Sequence, residues 1–263
     1  MTLLHGTRLQ ADHPISVVAG SECSDIPYDD GDDNCEPLLE QPPPIELLGH
    51  RFLVGPFKRR SSGYICRIIA VSEIPTNIQI SNRSDVQLNS GDMHEIDVTD
   101  NTLIGIVSDN PILVMQYMKS YYTDSAGNPS MVLVTSVDQF STNISFPVPE
   151  MVFGYSPEFT YYVNVAIDCV HKSNLLFDGQ TMEDWEVLRG DDGVMCLLRH
   201  QTTPGLHHLG HPENAPFYAT VYGYTLSGSA GGAVAYAYPA GFNLHSVLDK
   251  GKYASVLICI IFY

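Results

Sequence analysis

The chain has 263 residues, with 30 acidic against 13 basic residues and a net charge of −17. So acidic a balance excludes nucleic acid and anionic membrane as partners, because both require a positive surface. Charged residues are only 16%, while glycine, proline and tyrosine number 21, 17 and 15, and no long stretch shows helical periodicity. That combination predicts an all-β protein rich in turns.

In chain order, Thr7–Gly20 reads as strand, turn at Pro14, strand. Cys23 and Cys35 flank an acidic loop. Their closeness predicts a disulfide, which stabilises a loop of this size by about 3 kcal/mol. Asp29-Asp30-Gly31-Asp32-Asp33 lacks the EF-hand spacing and its terminal glutamate, so it reads as a solvated loop, with weak calcium binding as the alternative. Pro42-Pro43-Pro44 is a stiff polyproline connector. Lys58-Arg59-Arg60 is the sole basic cluster and reads as a solvated loop. Strands follow at Phe52–Val54, Tyr64–Val71, Ile78–Ile80, Val86–Leu88 and His94–Val98, the last alternating polar and apolar.

Ile104–Tyr117 repeats the strand–turn–strand design, with Ser108-Asp109-Asn110-Pro111 as its turn. Met131–Val134 reads as a buried strand. Phe146–Pro149 reads as an edge segment, because proline cannot donate to a sheet ladder. Tyr161–Ile167 is a central strand, Asp178-Gly179 a hairpin turn and Trp185 a packing residue. His207–Tyr224 gives the design a third time, around Pro216.

The three prolines lie 97 and 105 residues apart. At the 97-residue offset Tyr64–Ile68 falls on Tyr161–Val165, and Thr76–Ile80 falls on Ser173–Phe177. This register points to an internal duplication. The expected fold is two related antiparallel β-sandwich-like halves, 1–103 and 104–244, followed by an atypical tail, 245–263.

No motif declares chemistry. His200, His207, His208 and His211 cluster, but without HExxH or a paired CxxC they read as polar loop residues rather than zinc ligands. Gly228–Gly232 fits neither a P-loop nor GxSxG and reads as a flexible hairpin. No nucleophile–base set stands out, and no cofactor is implied. The apolar stretch Val256–Tyr263 is too short to span a bilayer, so no membrane insertion is expected. Met1–Gln10 lacks a long apolar core and an A-x-A site, so no signal peptide is expected in this stretch. Six cysteines and two sequons, Asn82-Arg83-Ser84 and Asn143-Ile144-Ser145, nevertheless point to an extracellular chain, so this is expected to be a piece of a larger secreted protein, cut at its N-terminus. Cys169–Cys196 is a second candidate disulfide; Cys66 and Cys259 stay unassigned.

An ordered set of short segments carries a resemblance. It comprises Ala11–Ile15 with Val17–Gly20, then Cys23, Cys35 and Leu39–Pro43. Ser108–Val114, Gln116-Tyr117, Gly127–Met131 and Asp138–Phe140 follow. Tyr162–Val165, Asp178-Gly179, Trp185, Tyr222–Tyr224 and Tyr238–Gly241 complete it. The chain over about 6–244 resembles the IgGFc-binding N-terminal domain of secreted mucus and matrix proteins, which often sits beside von Willebrand D-type domains. The resemblance implies secretion, β structure and a role in adhesion or matrix assembly, and supplies no catalytic residues. The tail after Leu244 departs from the family.

The expected function is therefore a non-enzymatic extracellular module that binds a protein or glycoprotein. The candidate anchors are Tyr121, Tyr122, Tyr236 and Tyr238, since interfaces concentrate binding energy in aromatic residues. One alternative is a carbohydrate-active or hydrolytic enzyme on a β-sandwich, which needs a cleft with two carboxylates roughly 5–10 Å apart. The other is an intracellular structural protein, which would keep its cysteines reduced.

Overall fold

Tyr64–Ala70 is buried along its whole length, and the first half of the molecule is built around it. Its β-branched and aromatic residues suit a pleated strand covered on both faces. The computed structural model describes residues 6–13, 15–27, 35–100, 102–151, 158–190, 193–226, 232–243 and 254–258. Every strand pair among them is antiparallel, and the only helices among them are single 3-10 turns.

The first sandwich has two four-stranded sheets. One runs, edge to edge, Ser130–Leu133, Ile112–Met118, Tyr64–Ala70, Met93–Val98. The other runs Arg51–Val54, Ile104–Ser108, Thr76–Ile80, Val86–Leu88. Cys66, Ile68, Ile78, Ile96, Ile104, Ile106 and Val114 fill the space between them. Each such aliphatic side chain contributes about 1.5–3 kcal/mol by leaving water.

The second sandwich repeats the scheme. Its larger sheet runs Ala235–Gly241, Phe217–Thr225, Phe159–Asp168, Gly193–Thr202, with Glu186–Gly190 added at the far edge. Its smaller sheet runs Asn143–Val148, Gly205–Gly210, Leu176–Phe177, Gln180–Thr181. The pairing register repeats too. Tyr64 opposes Met118 and Ala70 opposes Ile112, as Tyr161 opposes Gly223 and Ile167 opposes Phe217. Phe52 opposes Ile106 and Val54 opposes Ile104, as Ile144 opposes Leu209 and Phe146 opposes His207.

This pairing corrects the expected boundary. Ile104–Ser108 and Ile112–Met118 belong to the first sandwich, so a division after residue 103 would cut through it. The turn at Pro111 is not a hairpin. It carries the chain from one sheet to the other, so strands adjacent in sequence lie in opposite layers. The two sets of corresponding strands span 51–133 and 143–241. Thr7–Gly20 is not a strand pair either. Thr7–Ala11 pairs with Ala254–Ile258, and Ala19–Ser24 pairs with Glu36–Glu40; Pro14 lies outside the described residues.

The hairpin Ala19–Glu40 covers the outer face of the sheet containing Tyr64–Ala70. Ile26 and Leu38 pack there against Ile65, Ile69, Leu113 and Tyr117. The Cys23–Cys35 disulfide closes this hairpin, with Cα atoms 5.0 Å apart. Cys169–Cys196 is also formed, at 4.9 Å, tying the start of a loop to a buried strand. Cys66 is a free, buried thiol.

Candidate functional site

The two sandwiches meet through Phe159–Asp168 and Phe217–Thr225, whose even-numbered side chains point at the first sandwich. Tyr162, Tyr222 and Tyr224 join the first core. A polar chain fixes the contact. The Lys58 amide donates to Tyr222 Oη at 2.8 Å, Tyr222 Oη–H donates to Asn164 Oδ1 at 2.8 Å, and Asn164 Nδ2 donates to the Pro56 carbonyl at 3.1 Å. Gly127 approaches so closely that a Cβ there would lie 2.6 Å from Tyr224 Cβ, and its φ of +52° also favours glycine.

Arg60 belongs to this joint and not to a solvated loop. Its guanidinium is fully buried, pairs with Asp124, donates to the Lys119 carbonyl at 2.7 Å and lies 5.4 Å from the centre of the Tyr224 ring. A buried arginine demands such partners, because an uncompensated charge in the core is costly.

The candidate tyrosines fall into two groups. Tyr122 is exposed and Tyr121 half-buried, on a 3-10 turn where the Tyr122 hydroxyl donates to the Pro27 carbonyl. Tyr236 and Tyr238 are half-buried on the edge strand Ala235–Gly241, with stacked rings 6.0 Å apart. Phe159 continues the stack at 5.9 Å from Tyr236. The Tyr238 hydroxyl donates to the Pro147 carbonyl of the neighbouring edge strand, and burial pushes its pKa up to about 12. Asn82 is exposed at a tight turn with φ of +58°, and Asn143 is exposed at the start of an edge strand.

A cleft of about 580 Å³ lies on the outer face of the Thr76–Ile80 sheet, lined by Asn77, Gln79, Asp85, Gln87, Ser108 and Asp109 among others. Asn77 donates its backbone N–H (2.9 Å) and its Nδ2 (2.6 Å) to Asp109, and accepts from Gln87 Nε2 at 2.8 Å. The Asn77 side chain and amide hold Asp109 below the usual carboxylate range. A glycosidase acid must be held protonated, so Asp109 is tuned in the opposite direction.

The histidines are strand and turn residues, and His207 and His211 are buried. His171, His211 and Glu213 are the one His/Cys/Asp/Glu group close enough to share a metal among the described residues. The hydrogen bonds fix the His211 tautomer. Nδ1 accepts from the amides of Glu213 (3.2 Å) and Ala215 (3.3 Å), so Nε2 carries the proton and donates to the His171 carbonyl at 3.1 Å. Neither nitrogen keeps a lone pair for a cation, so the donor set does not fit a metal. Asp29–Asp33 lies wholly, and Gly228–Gly232 all but Gly232, outside the described residues, and Cys259 also lies outside them.

The fold and its surfaces define a disulfide-bonded, double-sandwich β module. The family model for the IgGFc binding protein matches residues 2–223, and the chain belongs to that family. No curated protein and no solved structure matches the chain. At the level of the family this is an extracellular module with protein partners.

Proposed function

We propose that the chain is a non-enzymatic module that binds extracellular protein or glycoprotein partners in adhesion or matrix assembly. The observation that carries this is the half-buried Phe159–Tyr236–Tyr238 stack, in which Tyr236 and Tyr238 lie on an edge strand and Phe159 at the start of a central one, held in place against the second core. Rigid aromatic rings of this kind give large contact area at low entropic cost. Tyr121 and Tyr122 form a second candidate contact, beside the disulfide hairpin. Asn82 and Asn143 are exposed acceptors for N-glycans, and a glycan at Asn143 would also shield an edge strand.

The test uses purified IgG Fc as a defined probe and a mucus or matrix extract as a source of other partners. The Tyr236→Ser/Tyr238→Ser pair and the Tyr121→Ser/Tyr122→Ser pair are compared with the parent chain. The expected result is saturable capture that one of the pairs weakens while the melting temperature holds. Loss of folding in both pairs, or capture unchanged in both, removes the proposal for these residues. Capture of Fc by the parent chain decides whether Fc is the ligand.

A further inference from the structure

The matching strand order and register of the two sandwiches let paired positions in one be compared with those in the other. In the first sandwich Ile96 opposes Cys66 and Ile104 opposes Val54. The equivalent places in the second sandwich hold His200, opposing Val163, and His207, opposing Phe146. Both isoleucines are buried core residues. Apolar packing alone therefore does not call for a histidine at either place, and two titratable rings stand where the sister core has aliphatic ones.

The surroundings of His207 are specific. Its Nδ1 lies 2.7 Å from Asp178 Oδ2, and its Nε2 lies 2.7 Å from the Thr203 carbonyl oxygen and 3.3 Å from Thr202 Oγ1. A carboxylate and a carbonyl are both acceptors, so both bonds exist together only when the ring carries two protons. Asp178 sits in the Asp178-Gly179 turn with φ of +50° and is itself fastened to the next strand. Its Oδ1 accepts the His208 amide at 2.8 Å, and its own amide donates to the His208 carbonyl at 2.8 Å.

We propose that Asp178, His207 and Thr203 form a pH-operated clasp, which joins the 178–179 turn to the 203–205 turn when His207 is an imidazolium. As pH rises and the ring loses one proton, one of the two ends faces lone pair to lone pair and lets go. Ring atoms of Phe146 and Phe177 enclose the imidazole from the two adjacent strands. The titratable groups facing it are Asp178 from the turn and His200 from Gly193–Thr202; His208 points to the opposite, exposed face.

His200 sets an acid limit. Burial, and then the charge of His207, hold its pKa below the usual histidine value. A folded-state pKa depressed in this way means that stability is lost as pH falls through the range where His200 protonates. The clasp is thus tightest where His207 is charged and His200 is neutral. Released, it loosens a surface that carries the strongly exposed Leu206. This regulation is independent of which partner the module binds.

The experiment is a titration of the intact chain across roughly pH 5 to 8, the range in which histidine changes charge. Imidazole nitrogen shifts report how many protons His207 carries. Amide exchange of Asp178 and His208, corrected for its intrinsic pH dependence, reports the clasp. The expected result is a drop in protection of about tenfold as the ring loses its second proton, the scale of one charge-assisted hydrogen bond. Amides of Thr76–Ile80 in the first sandwich should show no matching step. His207→Ile, which copies Ile104, should abolish the step, and Asp178→Asn, which removes the charged acceptor, should shrink it. Protection independent of the His207 titration, or a step that survives either variant unchanged, overturns the proposal; where a variant does not fold, the titration of the parent chain still decides.

Discussion

The Arg60 guanidinium meets the Asp124 carboxylate through two hydrogen bonds, 2.8 Å from Nε and 2.9 Å from one terminal nitrogen, with side-chain exposures of 0% and 2%. Ser62 Oγ donates to the same carboxylate at 2.8 Å. Truncating one member strands a buried charge. Arg60→Ala should therefore cost about 3–5 kcal/mol, whereas an apolar replacement of both partners, Arg60→Met with Asp124→Leu, should cost much less. Urea denaturation of the two variants and the parent checks this; equal losses for the single and the double variant would show that the pair itself carries the stability.

That pair also marks where sequence reading stops. Tyr64–Ala70 and Phe159–Asp168 were legible because β-favouring residues recur in register at one offset. Arg60 was not, because its partner lies 64 residues away and a Lys-Arg-Arg run looks solvated until something covers it. The division after residue 103 missed for a different reason. A proline turn reads the same whether it closes a hairpin or crosses between sheets. His207 was hidden by parity: the strand places Leu206 outward at 77% exposure and His207 inward at 8%. Only the pairing of His207 with Phe146 fixes that choice, and hydrophobicity points the other way. The Cys23–Cys35 disulfide was readable from the closeness of its cysteines; no local signal singles out Cys169–Cys196, whose cysteines lie 27 residues apart.

Those disulfides should differ in weight. In the loop-entropy account a closed loop of 12–15 residues is stabilised by about 3 kcal/mol, and longer loops by somewhat more. Cys169→Ser/Cys196→Ser should thus lower global stability by about 3–4 kcal/mol. Cys23→Ser/Cys35→Ser should act chiefly on the Ala19–Glu40 hairpin, read as faster proteolysis of that segment. Burial pushes the Cys66 thiol up to about 12, so it should resist alkylation in the folded chain. Mass spectrometry of alkylated peptides, with and without denaturant, measures it; rapid native labelling of Cys66 would contradict the burial.

Glu36 and Glu40 give the hairpin an opposite pH dependence to that of His200. Burial raises both carboxyls, against a hydrogen bond from Asn128 to Glu36 and amide hydrogen bonds from Leu133 and Gln41 to Glu40. A folded-state value above the unfolded one means that the native chain holds extra protons, so this contribution weakens as pH rises from the usual glutamate range through the folded value. Glu40→Gln keeps an acceptor for the Leu133 amide, bound at 2.8 Å, and removes the charge. Its stability relative to the parent should improve as pH rises from about 4.5 to 7. Melting curves of the two proteins at both pH values test this, and a difference that shrinks toward neutral pH would refute it.

Tyr222 closes the joint between the sandwiches from the other side. Its hydroxyl accepts from the Lys58 amide and donates to Asn164 Oδ1, so it orients the Asn164 amide toward the Pro56 carbonyl. Its ring meets Phe57 edge-on, with centroids 5.0 Å apart, and is fully buried. Tyr222→Phe keeps the ring and deletes the hydroxyl, leaving one buried donor and one buried acceptor without a partner. Each such orphan costs about 1–3 kcal/mol. The variant should fold, lose stability on that scale, and show faster amide exchange at Lys58 than at Ile68, which lies deep in the first core. Unchanged stability with unchanged exchange at Lys58 would mean that the packing of Phe57, Tyr162 and Tyr224, and not the hydrogen-bonded chain, holds the sandwiches together.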